Sequence, residues 1–295
     1  MAALNGKGTG RFVDFRDMHD GDAYEQIHVN ISFLPWHRAY LLDIERELQT
    51  IEDQIALPYW KFDEAAPKLF QRSFIGQSDQ SATVQFALTN PLRNWVGDLN
   101  RRGIWRGNSV GPTTVIDVRN EFDCMRISDG PGANFTEFSD WSYTPTFDPT
   151  GLESDPHNGA HGNHGAGWIT NPTTSQLDPL FYLLHTNVDR LWAKWQWLPS
   201  GSGGARSDPA ANISYFTGPP RANGHNRGDT LWPWDGIVQP GVATRPPTAP
   251  GGGMADSSMT RAPGLKPLVR SMIDYLGAHG GDHLGFAYDD VPFEL

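Results

Sequence analysis

His157 and His161 stand four residues apart in the run Asp155-Pro-His-Asn-Gly-Ala-His161. At that spacing two imidazoles lie on one face of a helical turn and can bind a single metal ion. His185 offers a third imidazole, and it recurs at intervals of three and four with Phe181, Val188, Trp192 and Trp195, which aims it inward with the aromatic residues. A second trio lies near the amino terminus. His19 shares a helical face with Phe12 and Phe15, His28 follows, and His37 sits just inside a helix opened by Pro35, on a stripe with Leu41, Ile44, Leu48 and Ile51. A lone inward histidine is usually a core side chain bonded to a backbone carbonyl. Two triplets, each ending in a histidine on the inner face of a helix with proline at its start, call instead for two metal ions. Neither set contains a thiolate or a carboxylate, and imidazole-only ligation suits copper or zinc.

The elements that must hold these side chains follow from caps and breakers. Asp178 is a good N-cap and Pro179 a good first helical residue, so a helix is predicted from there to Trp197. Asp155-Pro156 repeats the device before His157, and Gly159, Gly162, Gly165 and Gly167 should end that helix soon after His161. A first helix is predicted over Arg11 to His19 and another from Pro35 to about Ile55, with Arg38, Asp43, Glu45, Arg46 and Glu47 left to solvent or to pairing behind the ligands. Periodicity then weakens. Leu99 to Val110 and Thr114 to Val118 read as short strands or loop, and Asn120 to Met125 and Asn134 to Trp141 as short helical pieces. Thr144 to Ser154 is a connector that brings Glu153 to the second trio, and a last helix is predicted over Leu265 to Leu276. Residues 200–212 and 240–264 are Pro/Gly-rich and read as flexible loops, while His225, His279 and His283 lack an apolar stripe and read as surface residues.

The expected fold is mainly α: an antiparallel four-helix bundle with inward histidines, long loops and at most short strands. One domain over residues 1–295 is expected, because the two trios must meet across the long middle of the chain. Eleven Trp, fifteen Phe and eight Tyr can fill a core, while 32 Gly and 23 Pro imply much irregular connection. A net charge of −11 argues against nucleic acid and anionic membrane surfaces as partners. Cys124 is the only cysteine and reads as an inert buried thiol; no intrachain disulfide can form, and a reducing cytosol fits this better than an oxidising compartment. No signal peptide or apolar run of transmembrane length is visible.

Together these residues resemble the type-3 dinuclear copper proteins, the family of tyrosinases, catechol oxidases and molluscan oxygen carriers. FLPWHRAYLLDIERELQ at Phe33 to Gln49 is similar to the first-copper signature, and PHNGAH with DPLFYLLHTNVDRLWAKWQ to the second. His28 lies at the family's interval from His37, and His19 in FRDMHD falls where the first ligand is expected; LWPWD at Leu231 to Asp235 and YDDVPF at Tyr288 to Phe293 match more loosely. The resemblance implies two copper ions, held by His19, His28 and His37 and by His157, His161 and His185, with dioxygen as co-substrate. It implies oxidation of o-diphenols to o-quinones and, in tyrosinases, ortho-hydroxylation of monophenols. Glu153, four residues before His157, falls where relatives carry a water-holding glutamate, and Asn158 matches the asparagine that helps to activate that water. Leu184 replaces a histidine that many members carry beside the ligand, and Gly162, after His161, borders the expected substrate entrance, so a roomy mouth for substituted phenols is expected. The residues before His28 include no cysteine, so the thioether cross-link of some members is not expected. The amino terminus enters the family pattern abruptly, as if residues upstream were missing. An o-aminophenol oxidase or a pure catechol oxidase remains an alternative, delivery of the copper by a small helper protein stays open, and the oxygen-carrier reading is disfavoured because little chain remains for a covering domain. A mononuclear zinc hydrolase is disfavoured by the lack of any HExxH-like motif.

Overall fold

The computed structural model describes residues 1–8, 10–19, 27, 28, 30–97, 101–127, 151–199, 204–209, 224, 226–235, 259 and 267–291. Its regular elements in chain order are α1 (Ala2–Asn5), α2 (Phe12–Met18), α3 (Phe33–Gln49), β1 (Gln77–Ser78), β2 (Val84–Gln85), α4 (Glu121–Met125), α5 (Gly159–Gly162), α6 (Leu180–Trp197) and α7 (Val269–Ile273). The architecture is mainly helical, as expected, and the only sheet among the described residues is the two-stranded antiparallel pair β1 and β2. The strands fall at 77–85, whereas the described residues 101–118, in the stretch read as short strands or loop, contribute isolated bridges such as Arg102 with Val96 and Trp105 with Thr83. No described helix is long and apolar enough to cross a membrane.

Helices α3 and α6 form the centre and run antiparallel. The ring of His37 stacks on that of His185 with centroids 4.2 Å apart, and Tyr40 OH meets Tyr182 OH at 3.1 Å, so rising numbers on one helix meet falling numbers on the other. Only one stripe of each helix was expected to be buried, but every residue from Leu180 to Ala193 is. Along α3, Arg38 and Asp43 are each 1% exposed. Arg38 does not face solvent: its Nε donates to Asp189 Oδ1 at 2.6 Å, its Nη1 to Gln196 Oε1 at 2.8 Å and to Met272 O at 2.6 Å, and its guanidinium lies over Trp192, 3.6 Å from the ring centroid. Asp43 accepts from the indole of Trp234 at 2.7 Å, which explains why LWPWD packs here. Helix α3 also stops at Gln49, short of the expected Ile55, so Ile51 leaves the apolar stripe and is 54% exposed.

The remaining expectations resolve locally. Asp178 lies just before α6 and its carboxylate still accepts from Leu180 N at 3.0 Å, although Pro179 is the capping position. Asp155 has the extended backbone of a cap (φ −153, ψ 119), but its side chain accepts from Arg119 N at 3.0 Å and not from an amide of the turn that follows. Helix α4 fits the piece predicted at 120–125, and α7 is shorter than the helix predicted over 265–276. The piece at 134–141 lies outside the described residues, as does His225. The segments read as flexible loops are not wholly exposed: Arg206 is 2% exposed over the Trp195 ring, and Met259 is 1% exposed. His279 and His283 are exposed, as expected, and Cys124 is fully buried, its thiol pushed well above the usual range by burial.

One ion pair anchors the start of α6. Arg106 and Asp178 are 1% and 0% exposed, and the guanidinium grips the carboxylate through Nε at 2.6 Å and Nη2 at 2.5 Å. Removing one partner of such a pair strands the other charge in the interior. Arg106→Met is therefore expected to lower unfolding stability by about 3–5 kcal/mol, read as a fall in the urea midpoint at unchanged slope. A change below 1 kcal/mol would mean that Asp178 finds solvent or another donor.

Candidate metal centre

Each trio draws on helices of different kinds. His37 and His185 are carried in the long helices α3 and α6, and each has a phenylalanine one turn earlier, Phe33 and Phe181, packed on its ring with centroids 4.7 and 4.1 Å away. His19 is the C-cap residue of α2, and His28 lies outside any regular helix. His157 and His161 come from the wide, kinked turn Glu153–Asn158 and the short α5 that continues it. Gly159 is required there, because a Cβ would stand 2.5 Å from Val118 Cγ1.

The six imidazoles meet as two triads, His19, His28 and His37, and His157, His161 and His185, each with ring nitrogens within 4.8 Å of one another. The Nε2 atoms converge: His19 lies 3.3 Å from His37 and 3.2 Å from His28, and His185 lies 3.3 Å from both His157 and His161. In four of the rings the opposite nitrogen points to an acceptor. Nδ1–H of His37 donates to Phe33 O at 2.8 Å, that of His157 to Glu153 O at 3.1 Å and that of His161 to Ile169 O at 2.6 Å. His28 Nδ1 meets a carboxylate, Glu153 Oε1, at 3.1 Å. A proton fixed on Nδ1 leaves a lone pair on Nε2, so each of these rings presents a donor atom to the centre of its triad.

Electrostatics agree with that assignment. Burial, then the neighbouring His161, holds His19 down to about 3, and burial holds His161 down to about 4. Burial foremost, then the adjoining rings, keeps His28, His37, His157 and His185 well below the usual imidazole range. Neutral imidazoles whose Nε2 atoms crowd together in threes fit two metal cations, one per triad, and copper suits the all-imidazole donor set. The stacked His37 and His185 rings place the two triads side by side.

A cavity of ≈ 260 Å³ opens onto both triads, lined among others by Glu153, Asn158, Gly162, Thr170, Pro172 and Ser175. Glu153 is 1% exposed, whereas Asn158 is exposed at the mouth. A Cβ on Gly162 would meet nothing within 4 Å, so the entrance is open on that side. The sequence did not single out the wall formed by Thr170, Pro172 and Ser175, nor Gln176 beside it, because small polar residues between glycines and a helix start read as plain connection. It also left His164 unassigned. That ring is fully buried, belongs to neither triad, packs 5.7 Å from Trp60 and has no hydrogen-bond partner on either nitrogen.

A family profile described as the common central domain of tyrosinase matches residues 9–198. The chain is 31% identical over 221 residues to a tyrosinase from Streptomyces glaucescens, covering 68% of this chain and 78% of that one. Against a tyrosinase from Streptomyces antibioticus the identity is 30% over 259 residues, with 79% and 86% covered. Among solved structures, a polyphenol oxidase from Thermothelomyces thermophila aligns with a TM-score of 0.48 at 23% identity, covering 66% of this chain and 62% of that chain.

Proposed function

Because the chain belongs to the tyrosinase family, we propose that its copper-dependent oxidation of phenols serves two substrates at one site: o-diphenols go to o-quinones, and monophenols are first hydroxylated at the ortho position, with dioxygen as co-substrate. The observation that carries this reading is the pair of adjoining neutral triads facing one cavity that also holds a carboxylate. His19, His28 and His37 would hold one copper, and His157, His161 and His185 the other. Copper bound there supplies the redox chemistry that joins phenol oxidation to dioxygen reduction.

The chain's own groups do the rest. A phenol with a pKa near 10 keeps its proton at neutral pH unless a base stands close by. Glu153 is that base in this reading, directly or through a water that Asn158 orients at the mouth. The same carboxylate accepts the Nδ1 proton of His28, so it also fixes a ligand ring. A cavity of ≈ 260 Å³ lies just under the usual range of about 300–1,000 Å³ for ligand pockets, and so suits a single aromatic ring. The gap beside Gly162 leaves room for a ring substituent to project outward.

Copper-loaded protein is expected to take up dioxygen with both members of a matched monophenol and diphenol pair, the diphenol being faster. Uptake with the diphenol alone would reduce the activity to that of a catechol or o-aminophenol oxidase, and uptake with neither would overturn the reading.

A further inference from the structure

His19 has less support from secondary structure than the histidines of the two long helices. It ends a seven-residue helix, whereas His37 and His185 are built into helices of seventeen and eighteen residues. Four of the six rings have a clear acceptor for the Nδ1 proton, but His19 Nδ1 is buried without a hydrogen bond inside the ordinary distance limit. One other atom close to this segment is in the same condition, the amide oxygen of Gln176, a residue 1% exposed.

The two are linked by how Gln176 is anchored. Its Nε2 donates to Arg16 O at 3.2 Å and to Thr173 O at 3.1 Å, which uses both amide hydrogens and decides which end of the amide is oxygen. Arg16 O also accepts from His19 N at 3.2 Å, so Gln176 is fastened to the same turn that carries the ligand. With the nitrogen end held there, the oxygen is the end of the amide left to serve as an acceptor beside this turn. Burial, then His161, lowers the proton affinity of His19, and hydrogen bonding to its own backbone and to the Gln176 side chain acts against them.

We propose that Gln176 is a positioning residue for the first copper site: its Oε1 takes the Nδ1 proton of His19, which fixes the tautomer and turns Nε2 to the centre of the triad. The role rests on His19 being a copper ligand, as assigned above. It requires only that the ring settle by a small movement into hydrogen-bond distance, and copper on Nε2 would favour that movement by making the Nδ1 proton more acidic.

The test is a chelator-competition titration of copper into wild type, Gln176→Met and Gln176→Glu, with the thermal midpoint of each copper-free protein measured alongside. Gln176→Met fills the space without an acceptor and is expected to weaken one of the two copper sites by about 10–100-fold, leaving the other unchanged. Gln176→Glu keeps an acceptor but loses the amide hydrogens that hold Arg16 and Thr173; it is expected to lower the thermal midpoint yet bind both coppers tightly. Two outcomes overturn the proposal: wild-type affinity at both sites in Gln176→Met, or equal loss in the Met and Glu variants, which would make Gln176 only a tether. Should Gln176→Met not fold, Gln176→Asn, which withdraws the oxygen by one methylene, carries the same expected loss. A wild type that takes up only one copper would sink the ligand assignment itself and this inference with it.

Discussion

His185→Ala is expected to retain one copper per chain and to lose oxidase activity. The ring touches both triads. Its Nε2 lies 3.3 Å from both partners in its triad, its face stacks on His37, and Phe181 packs against it at 4.1 Å. Altering a residue that only supports a metal ligand already lowers affinity by about 10–100-fold, and removing a ligand outright costs more, so the second site should empty on dialysis. One metal cannot serve a reaction that needs both. The variant should still fold, since the vacated space adjoins a cavity that is already present. Metal analysis after copper loading and dialysis, with oxygen uptake on a diphenol, checks this; two coppers retained in the variant would refute the dinuclear assignment.

Glu153→Gln is expected to separate the two activities. The amide oxygen can still accept the His28 Nδ1 proton, so ligand orientation and copper content should survive, whereas the capacity to take a proton is lost. Loss of a general base typically lowers a rate by about 10²–10⁴-fold, and the monophenol reaction should fall within that range. A diphenol, whose first proton is more acidic, should be affected less. Glu153→Ala removes both roles and should also weaken copper binding, by about 10–100-fold. The informative quantity is the ratio of monophenol to diphenol initial rates at equal copper content. A proportional fall in both rates for Glu153→Gln would leave Glu153 as support for His28 and nothing more.

The two histidine triads were legible because a candidate metal site is written in residue type. Six histidines in two triplets cannot all be explained as core, and Phe33 and Phe181, each four residues before a triad histidine, repeat the signal. The supports behind the ligands were not legible. Arg38 and Asp189 are 151 positions apart, and nothing local distinguishes a buried arginine bonded to a carboxylate from a solvated one. Gln176 reaches Arg16 across 160 positions. Helix periodicity also misled at both long helices, because a helix enclosed on all sides buries polar residues in pairs and does not sort them to an outer face. The strands were missed for a different reason: two residues each is below the length at which alternation can be seen.

Arg38 bears on what counts as a unit in this chain. Similarity to the tyrosinase central domain ends at residue 198, yet the guanidinium beneath it is covered by residues well beyond that point: Met272 supplies a carbonyl at 2.6 Å, Tyr275 a ring face at 4.5 Å, and Tyr288 holds the same Asp189 carboxylate. A recognisable stretch of sequence and a cooperative folding unit are therefore different objects here. Opening of residues 269–288 alone would expose one of the most deeply buried cations in the molecule and loosen the α3 and α6 pair that carries His37 and His185. Amide exchange in that carboxyl-terminal segment is accordingly expected to report on the integrity of the two histidine triads, although the segment contributes no residue to either.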